Sequence, residues 1–124
     1  MKIRIKGNSI RLRLTKTEVE NFGKTGVYEE ETQMIGGVFK YKLERTEKHE
    51  TLAAEWIGGQ NLIVFYMPDA IAKEWVESNE VGFQHKLQLE NGTELFLLIE
   101  KDFVCLDNTF EDQSDNYPNP NAVC

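Results

Sequence analysis

The chain has 124 residues, with 14 Lys and Arg against 21 Asp and Glu, a net charge of −7 and a pI near 4.9. That balance argues against nucleic acid and against an anionic membrane as default partners of the whole molecule. A hydrophobic content of 40% supports one domain with its own core and leaves no room for a second. The charge is unevenly spread. Residues 1 to 48 hold 11 of the 14 basic side chains and 7 acids, and the remainder holds 3 against 14.

The opening MKIRIKGNSI carries charge on alternate residues, so it offers no continuous apolar region for a signal peptide. The longest apolar run, Leu62 to Met67, is far short of a membrane span. Cys105 and Cys124 lack a CxxC partner and make no disulfide framework. A soluble cytoplasmic protein with reduced thiols is the expectation.

In chain order, Lys2 to Lys6 and Ile10 to Leu14 alternate strictly around Gly7-Asn8-Ser9, which predicts a first hairpin. Thr15 and Glu18 form a capping box for a short helix, with Leu14 and Val19 as its hydrophobic staple and Gly23 and Gly26 as its stop. Val27 to Ile35 and Val38 to Arg45 make a second hairpin around Gly36-Gly37. Leu52 to Ile57 and Gln60 to Met67 make a third around Gly58-Gly59, and Pro68 opens a second helix with Ile71, Ala72, Trp75 and Val76 on its apolar stripe.

The fourth hairpin, FQHKLQLENGTELFLLIEKD from Phe83 to Asp102, carries the clearest signal. Asn91-Gly92 reads as a two-residue type I′ turn that pairs Glu90 with Thr93. This register sets Phe83, His85, Leu87 and Leu89 on one face with Phe96, Leu98 and Glu100. Leu95, Leu97 and Ile99 make the other face of the last strand apolar too, so that strand is expected inside its sheet.

Each half thus reads hairpin, helix, hairpin. The predicted fold is α+β, with eight mostly antiparallel strands and two short helices. It is a duplicated ββαββ unit, halves 1–48 and 49–106, forming a curled sheet or a barrel-like domain over residues 1–106. In that alignment Ile10, Leu12 and Leu14 correspond to Leu62, Val64 and Tyr66. From Asp107 onward acids and Asn-Pro repeats accumulate, so 107–124 is expected to be an extended or disordered acidic tail.

Two places attract chemistry. In the first hairpin, Lys2, Arg4, Lys6, Arg11 and Arg13 share one face, with cation opposite cation. This arrangement is unfavourable unless a negative charge lies near. Glu29, Glu31 or Glu44 from neighbouring strands, the acidic tail, or an anionic ligand or acidic protein would supply it. A plain solvated face that blunts an edge strand is the alternative. The second place is His85. The type I′ register makes Glu100 its diagonal neighbour, and a carboxylate beside a half-buried imidazole is how a general base is oriented. Asp107, Asp112 and Asp115 lack the glycine and the spacing of a calcium loop. Cys105 and the two tryptophans read as core residues. GxGxxG, P-loop, HExxH and GxSxG motifs are all absent from the sequence.

The opening KIRIKGNSIRLRLTKTEVE and the closing IEKDFVCL resemble the two ends of a family of small uncharacterised bacterial proteins, a domain of unknown function. The resemblance implies a soluble single-domain protein and transfers no activity. The triphosphate-tunnel enzymes also carry basic side chains on eight strands, but their ExExK start and its metal-binding carboxylates have no counterpart in KIRIK.

The leading expectation is a noncatalytic binding module. Its anion-binding residues are Arg4, Arg11 and Arg13, supported by Lys2 and Lys42, and it uses no cofactor or metal. The second is a small enzyme acting on an anionic metabolite, with His85 and Glu100 as base and orienter. The third is a structural homodimer joined through an exposed apolar strand face.

Overall fold

Strict alternation fixes which side of each strand is buried, but the partner of each strand is decided only when the hairpins meet. In the computed structural model, which describes residues 1–103 and 115–117, the hairpins sort into two separate four-stranded sheets. The strands are β1 Lys2–Lys6, β2 Ser9–Leu14, β3 Val27–Met34, β4 Gly37–Thr46, β5 Ala53–Ile57, β6 Leu62–Pro68, β7 Gly82–Gln88 and β8 Glu94–Lys101. The helices are α1 Lys16–Thr25 and α2 Asp69–Glu77, and Gly58–Gln60 forms a 3-10 turn. The first sheet has the order β1-β2-β8-β7 and the second β3-β4-β6-β5.

The eight strands and two helices are as expected, whereas the single curled sheet or barrel is not. Every hairpin is antiparallel, but β2 pairs with β8 and β4 with β6 in parallel, so both sheets are mixed and neither closes. The physical reason lies in the central strands. β6 is buried along most of its length and β8 carries the core residues Leu97 and Ile99, and an interior position pairs both edges of each, β8 with β2 and β7 and β6 with β4 and β5.

One core joins the sheets and helices. Leu12, Leu14, Leu97 and Ile99 come from the first sheet, Leu43, Phe65 and Met67 from the second, and Val19, Phe22, Ala72 and Trp75 from the helices. Phe22 and Trp75 meet edge to face with ring centroids 6.2 Å apart, a favoured aromatic geometry. The buried indole donates from Nε1 to the Val81 carbonyl at 2.9 Å. Lys101, also buried, donates from Nζ to the Ser78 carbonyl at 2.8 Å and lies within 6.0 Å of the Trp75 ring and 5.5 Å of the Tyr117 ring.

The capping box at Thr15 and Glu18 is formed as predicted. Helix α1 runs through Gly23 and ends at Gly26, which is left-handed at φ 77°. Gly23 serves the helix–helix contact: a Cβ there would lie 2.7 Å from Cγ1 of Val76. The expected acidic tail lies outside the described residues except for Asp115 to Tyr117, and these pack against the body. Lys16 N–H donates to the Asp115 carbonyl, Thr17 Oγ1 donates to Asp115 Oδ1 at 2.8 Å, and Tyr117 N–H donates to the Asp102 carbonyl. Cys105 and Cys124 also lie outside the described residues.

Glu18 does more than cap. Met1 is buried, its α-ammonium is ion-paired with Glu18 and, at 2.8 Å, with Glu30 Oε1, and its carbonyl accepts from the Tyr41 hydroxyl at 3.0 Å. Burial alone would raise the Glu18 pKa. The α-ammonium, the Thr15 backbone N–H and Tyr28 overcome it and leave the carboxyl below its ordinary value. The same surroundings, burial first and then the charges of Glu18 and Glu30, push the Tyr28 hydroxyl up to about 12.

A carboxyl whose folded pKa is depressed adds stability above its unfolded pKa of about 4.3, and that stability is lost as pH falls through the folded value. Glu18→Gln keeps the capping geometry and removes the charge. It is expected to lower the unfolding free energy by about 1–3 kcal/mol at pH 7, and the difference from wild type should shrink between about pH 5 and pH 3. Urea unfolding across that range measures this; a pH-independent difference would show that the charge contributes nothing.

Candidate functional site: the basic outer face of the first sheet

In the first hairpin, Lys2 pairs with Arg13, Arg4 with Arg11 and Lys6 with Ser9, and Gly7 takes the turn at φ 54°. The expected stack of cation opposite cation is therefore present. Ile3, Ile10 and Leu12 point to the core, and the cations stand on the outer face. The parallel pairing of β8 on β2 then brings Leu98 beside Arg11 and Glu100 beside Arg13. On the far side of β8, Lys86 lies opposite Phe96 and Gln84 opposite Leu98. The outer face thus carries Lys2, Arg4, Lys6, Arg11, Arg13 and Lys86 around Phe96 and Leu98.

Glu100 holds the centre of the cationic group. Its Oε1 accepts from Arg11 Nε at 2.8 Å and from Arg13 Nε at 2.5 Å, and Arg11 Nη2 approaches the same oxygen to 2.6 Å. Its side chain is 16% exposed. Lys2 Nζ lies 3.0 Å from Oδ2 of the buried Asp102, an ionic contact outside hydrogen-bond alignment. Among the described residues, Arg4 and Lys6 form no ion pair. Lys2, Ile3, Arg4, Arg11 and Arg13 line a surface hollow of about 220 Å³. A neighbouring hollow of about 180 Å³ is lined by Arg4, Lys6, Ser9, Ile10, Arg11, Phe96 and Leu98.

The expected partnership of His85 with Glu100 does not form. The turn that sets the register has three residues, Glu90-Asn91-Gly92, where two were expected. Leu89 N–H donates to the Thr93 carbonyl at 2.8 Å, and Gly92 N–H donates to the Leu89 carbonyl at 3.0 Å. Gly92 takes φ 83°, Asn91 stays out of the left-handed region, and Asn91 Oδ1 accepts from Thr93 N–H. This is a type I turn followed by a left-handed glycine, the other common hairpin loop for Asn-Gly. One extra loop residue shifts the pairing by one and moves each side chain of one strand to the opposite side of its neighbours. His85 therefore pairs with Leu97 on the inner face, half-buried, while Glu100 pairs with Gly82 and points outward. Gly82 also allows a close approach there, since a Cβ would lie 2.2 Å from the Ile99 carbonyl oxygen.

Lys42 is not brought to the basic face either. It belongs to β4 in the second sheet, opposite Glu29, and its Nζ lies 3.2 Å from Glu44 Oε1. Glu29, Glu31 and Glu44 therefore serve the second sheet and not the arginines. The counter-charge of the arginines is Glu100, which the sequence had paired with His85.

Sequence reasoning passed over one polar cluster, on the second sheet. The Tyr66 hydroxyl donates to Glu55 Oε1 at 2.6 Å, and the His49 ring lies 4.8 Å from the Tyr66 ring. The bond to Glu55, with burial behind it, pushes the Tyr66 hydroxyl up to about 12. Ala53 pairs with Tyr66 and Glu55 with Val64, so only the cross-strand register could have revealed this diagonal contact.

The fold and this face define a two-sheet α+β protein with an arginine-lined outer surface. By sequence, the chain belongs to the Family of unknown function (DUF7009), whose model matches residues 1–121. Comparison with curated proteins and with solved structures finds no match in either. Among the described residues, no helix is long and apolar enough to cross a membrane.

Because Glu100 separates two arginines, its removal has two opposite consequences. Glu100→Gln is expected to cost about 1–2 kcal/mol of stability in ligand-free solution, between the values for exposed and buried pairs. It should also make the melting temperature rise further on addition of phosphate than it does in wild type. Differential scanning fluorimetry with and without phosphate tests both; a variant as stable as wild type and equally indifferent to phosphate would remove Glu100 as the organiser of this face.

Proposed function

We propose that the protein is a noncatalytic binding module whose basic outer face takes a small anion, with Arg4, Arg11 and Arg13 as its principal ligands and Lys2 at the rim. The observation that carries this reading is the imbalance around Glu100. One carboxylate oxygen serves Arg11 and Arg13, while Arg4, directly opposite Arg11, has no ionic partner among the described residues and lines both hollows. Guanidinium groups suit phosphate and carboxylate because their N–H groups present a planar fork. An acidic segment of a protein partner offers the same groups and is the larger form of the same reading.

The alternative of an enzyme built on His85 and Glu100 loses its geometric support, because the two side chains stand on opposite faces of the sheet. A homodimer keeps a specific observation in its favour. Met34, Ile35, Val38, Phe39 and Trp56 border a hollow of about 220 Å³ on the second sheet, and Met34, Ile35 and Trp56 are each more than half exposed. A cytoplasmic location fits the composition and the lack of a long apolar run.

We also read the chain as a doubled ββαββ unit. Exchanging each element of one half for its counterpart in the other turns β1-β2-β8-β7 into β5-β6-β4-β3, the order of the second sheet. Thr15 and Pro68 cap the two helices, and Val19 and Phe22 then match Ala72 and Trp75, all four buried. Leu14 matches Met67 in this alignment, one residue away from the Tyr66 that sequence comparison suggests.

Isothermal titration of the full chain with inorganic phosphate and with pyrophosphate tests the anion reading. Saturable binding that weakens with added chloride is expected, and Arg4→Ala should weaken it by about tenfold, the loss of one charge-assisted contact worth about 1.5 kcal/mol. No binding of either anion, or binding untouched by Arg4→Ala, would exclude the face as a small-anion site.

A further inference from the structure

The two hollows on the outer face share Arg4 and Arg11 and differ in the rest of their lining. The first is completed by Lys2, Arg13 and Ile3, the second by Lys6, Ser9, Ile10, Phe96 and Leu98. Phe96 and Leu98 lie on the outer side of β8 and take no part in the core cluster. A sheet face needed only for solvation gains nothing from an aromatic and a leucine set between guanidinium groups. A simple inorganic anion would use only the basic hollow.

We propose that the ligand of this face is a phosphomonoester carrying an aromatic group, with its phosphate against Arg4 and Arg11 and its ring over Phe96 and Leu98. This rests on the anion-binding reading above and adds the ligand's second half. Arg4 and Arg11 occupy the boundary between the hollows, so a ligand spanning both meets the guanidinium groups at its middle. Arg13 and Lys2 then face the outer phosphate oxygens, and Glu100 keeps Arg11 and Arg13 from turning away. A dianion matches a site where two cation pairs stand directly opposite each other. The apolar half contributes by removing ring and side-chain surface from water.

The test compares phenyl phosphate with inorganic phosphate by isothermal titration of the full chain. Wild type is expected to bind phenyl phosphate about tenfold more tightly, the effect of burying part of one ring. Phe96→Ser should reduce phenyl phosphate to the affinity of phosphate and leave phosphate itself unchanged, whereas Arg4→Ala should weaken both. Leu98→Ser provides the same comparison should the Phe96 variant fail to fold. Equal affinity of wild type for the two probes overturns the inference and leaves anion binding standing. A preference for phenyl phosphate that survives both apolar substitutions, or that disappears with Trp56→Ala, also overturns it by placing the ring elsewhere. Failure of both probes to bind removes the underlying reading and this inference together.

Discussion

The rest of the structure depends on the pairing of the last strand with the second. β8 lies parallel to β2 in a register that sets Leu97 beside Ile10, Ile99 beside Leu12 and Glu100 beside Arg13, and Asp102 N–H extends it by donating to the Leu14 carbonyl. This pairing takes the edge of β8 that β7 leaves open, so that β8 is hydrogen-bonded on both sides. It also closes the chain across most of its length, a contact whose entropic cost is met only once the intervening hairpins and helices have packed. The same register delivers Glu100, the carboxylate that holds Arg11 and Arg13 on the basic face.

The two outer faces show what that carboxylate does. On the second sheet, Glu29 pairs with Lys42 and Glu31 with Lys40, so unlike charges stand opposite each other and Lys42 has Glu44 as well. On the first sheet, Lys2 pairs with Arg13 and Arg4 with Arg11. Cross-strand pairs of unlike charge stabilise a sheet and like pairs destabilise it. The second outer face is therefore internally neutralised, while the first is held by Glu100 with cationic capacity left over at Arg4 and Lys6.

Much of the local structure was legible. The capping box at Thr15, the four hairpins, the apolar stripe of α2 and the interior position of β8 follow from alternation, turn residues and caps, which act over a few neighbouring residues. The cation ladder of the first hairpin was legible for the same reason, since a two-residue turn fixes it without outside help. The pairing of His85 with Glu100 was not. Asn-Gly supports both a two-residue and a three-residue loop, and the two differ by one step in register. Lys42 was misplaced for another reason: a strand's charge pattern does not reveal which sheet the strand will join.

The sequence by itself determined the strands and helices, their order and the face each strand buries, because backbone propensity and side-chain alternation are local properties. Only the tertiary structure decided that the hairpins divide between two open sheets, that β2 takes β8 and β4 takes β6 in parallel, and that Glu100 belongs to Arg11 and Arg13. Those outcomes depend on pairing both edges of β6 and β8 while their inner side chains join one core, a requirement that exists only between segments far apart in the chain.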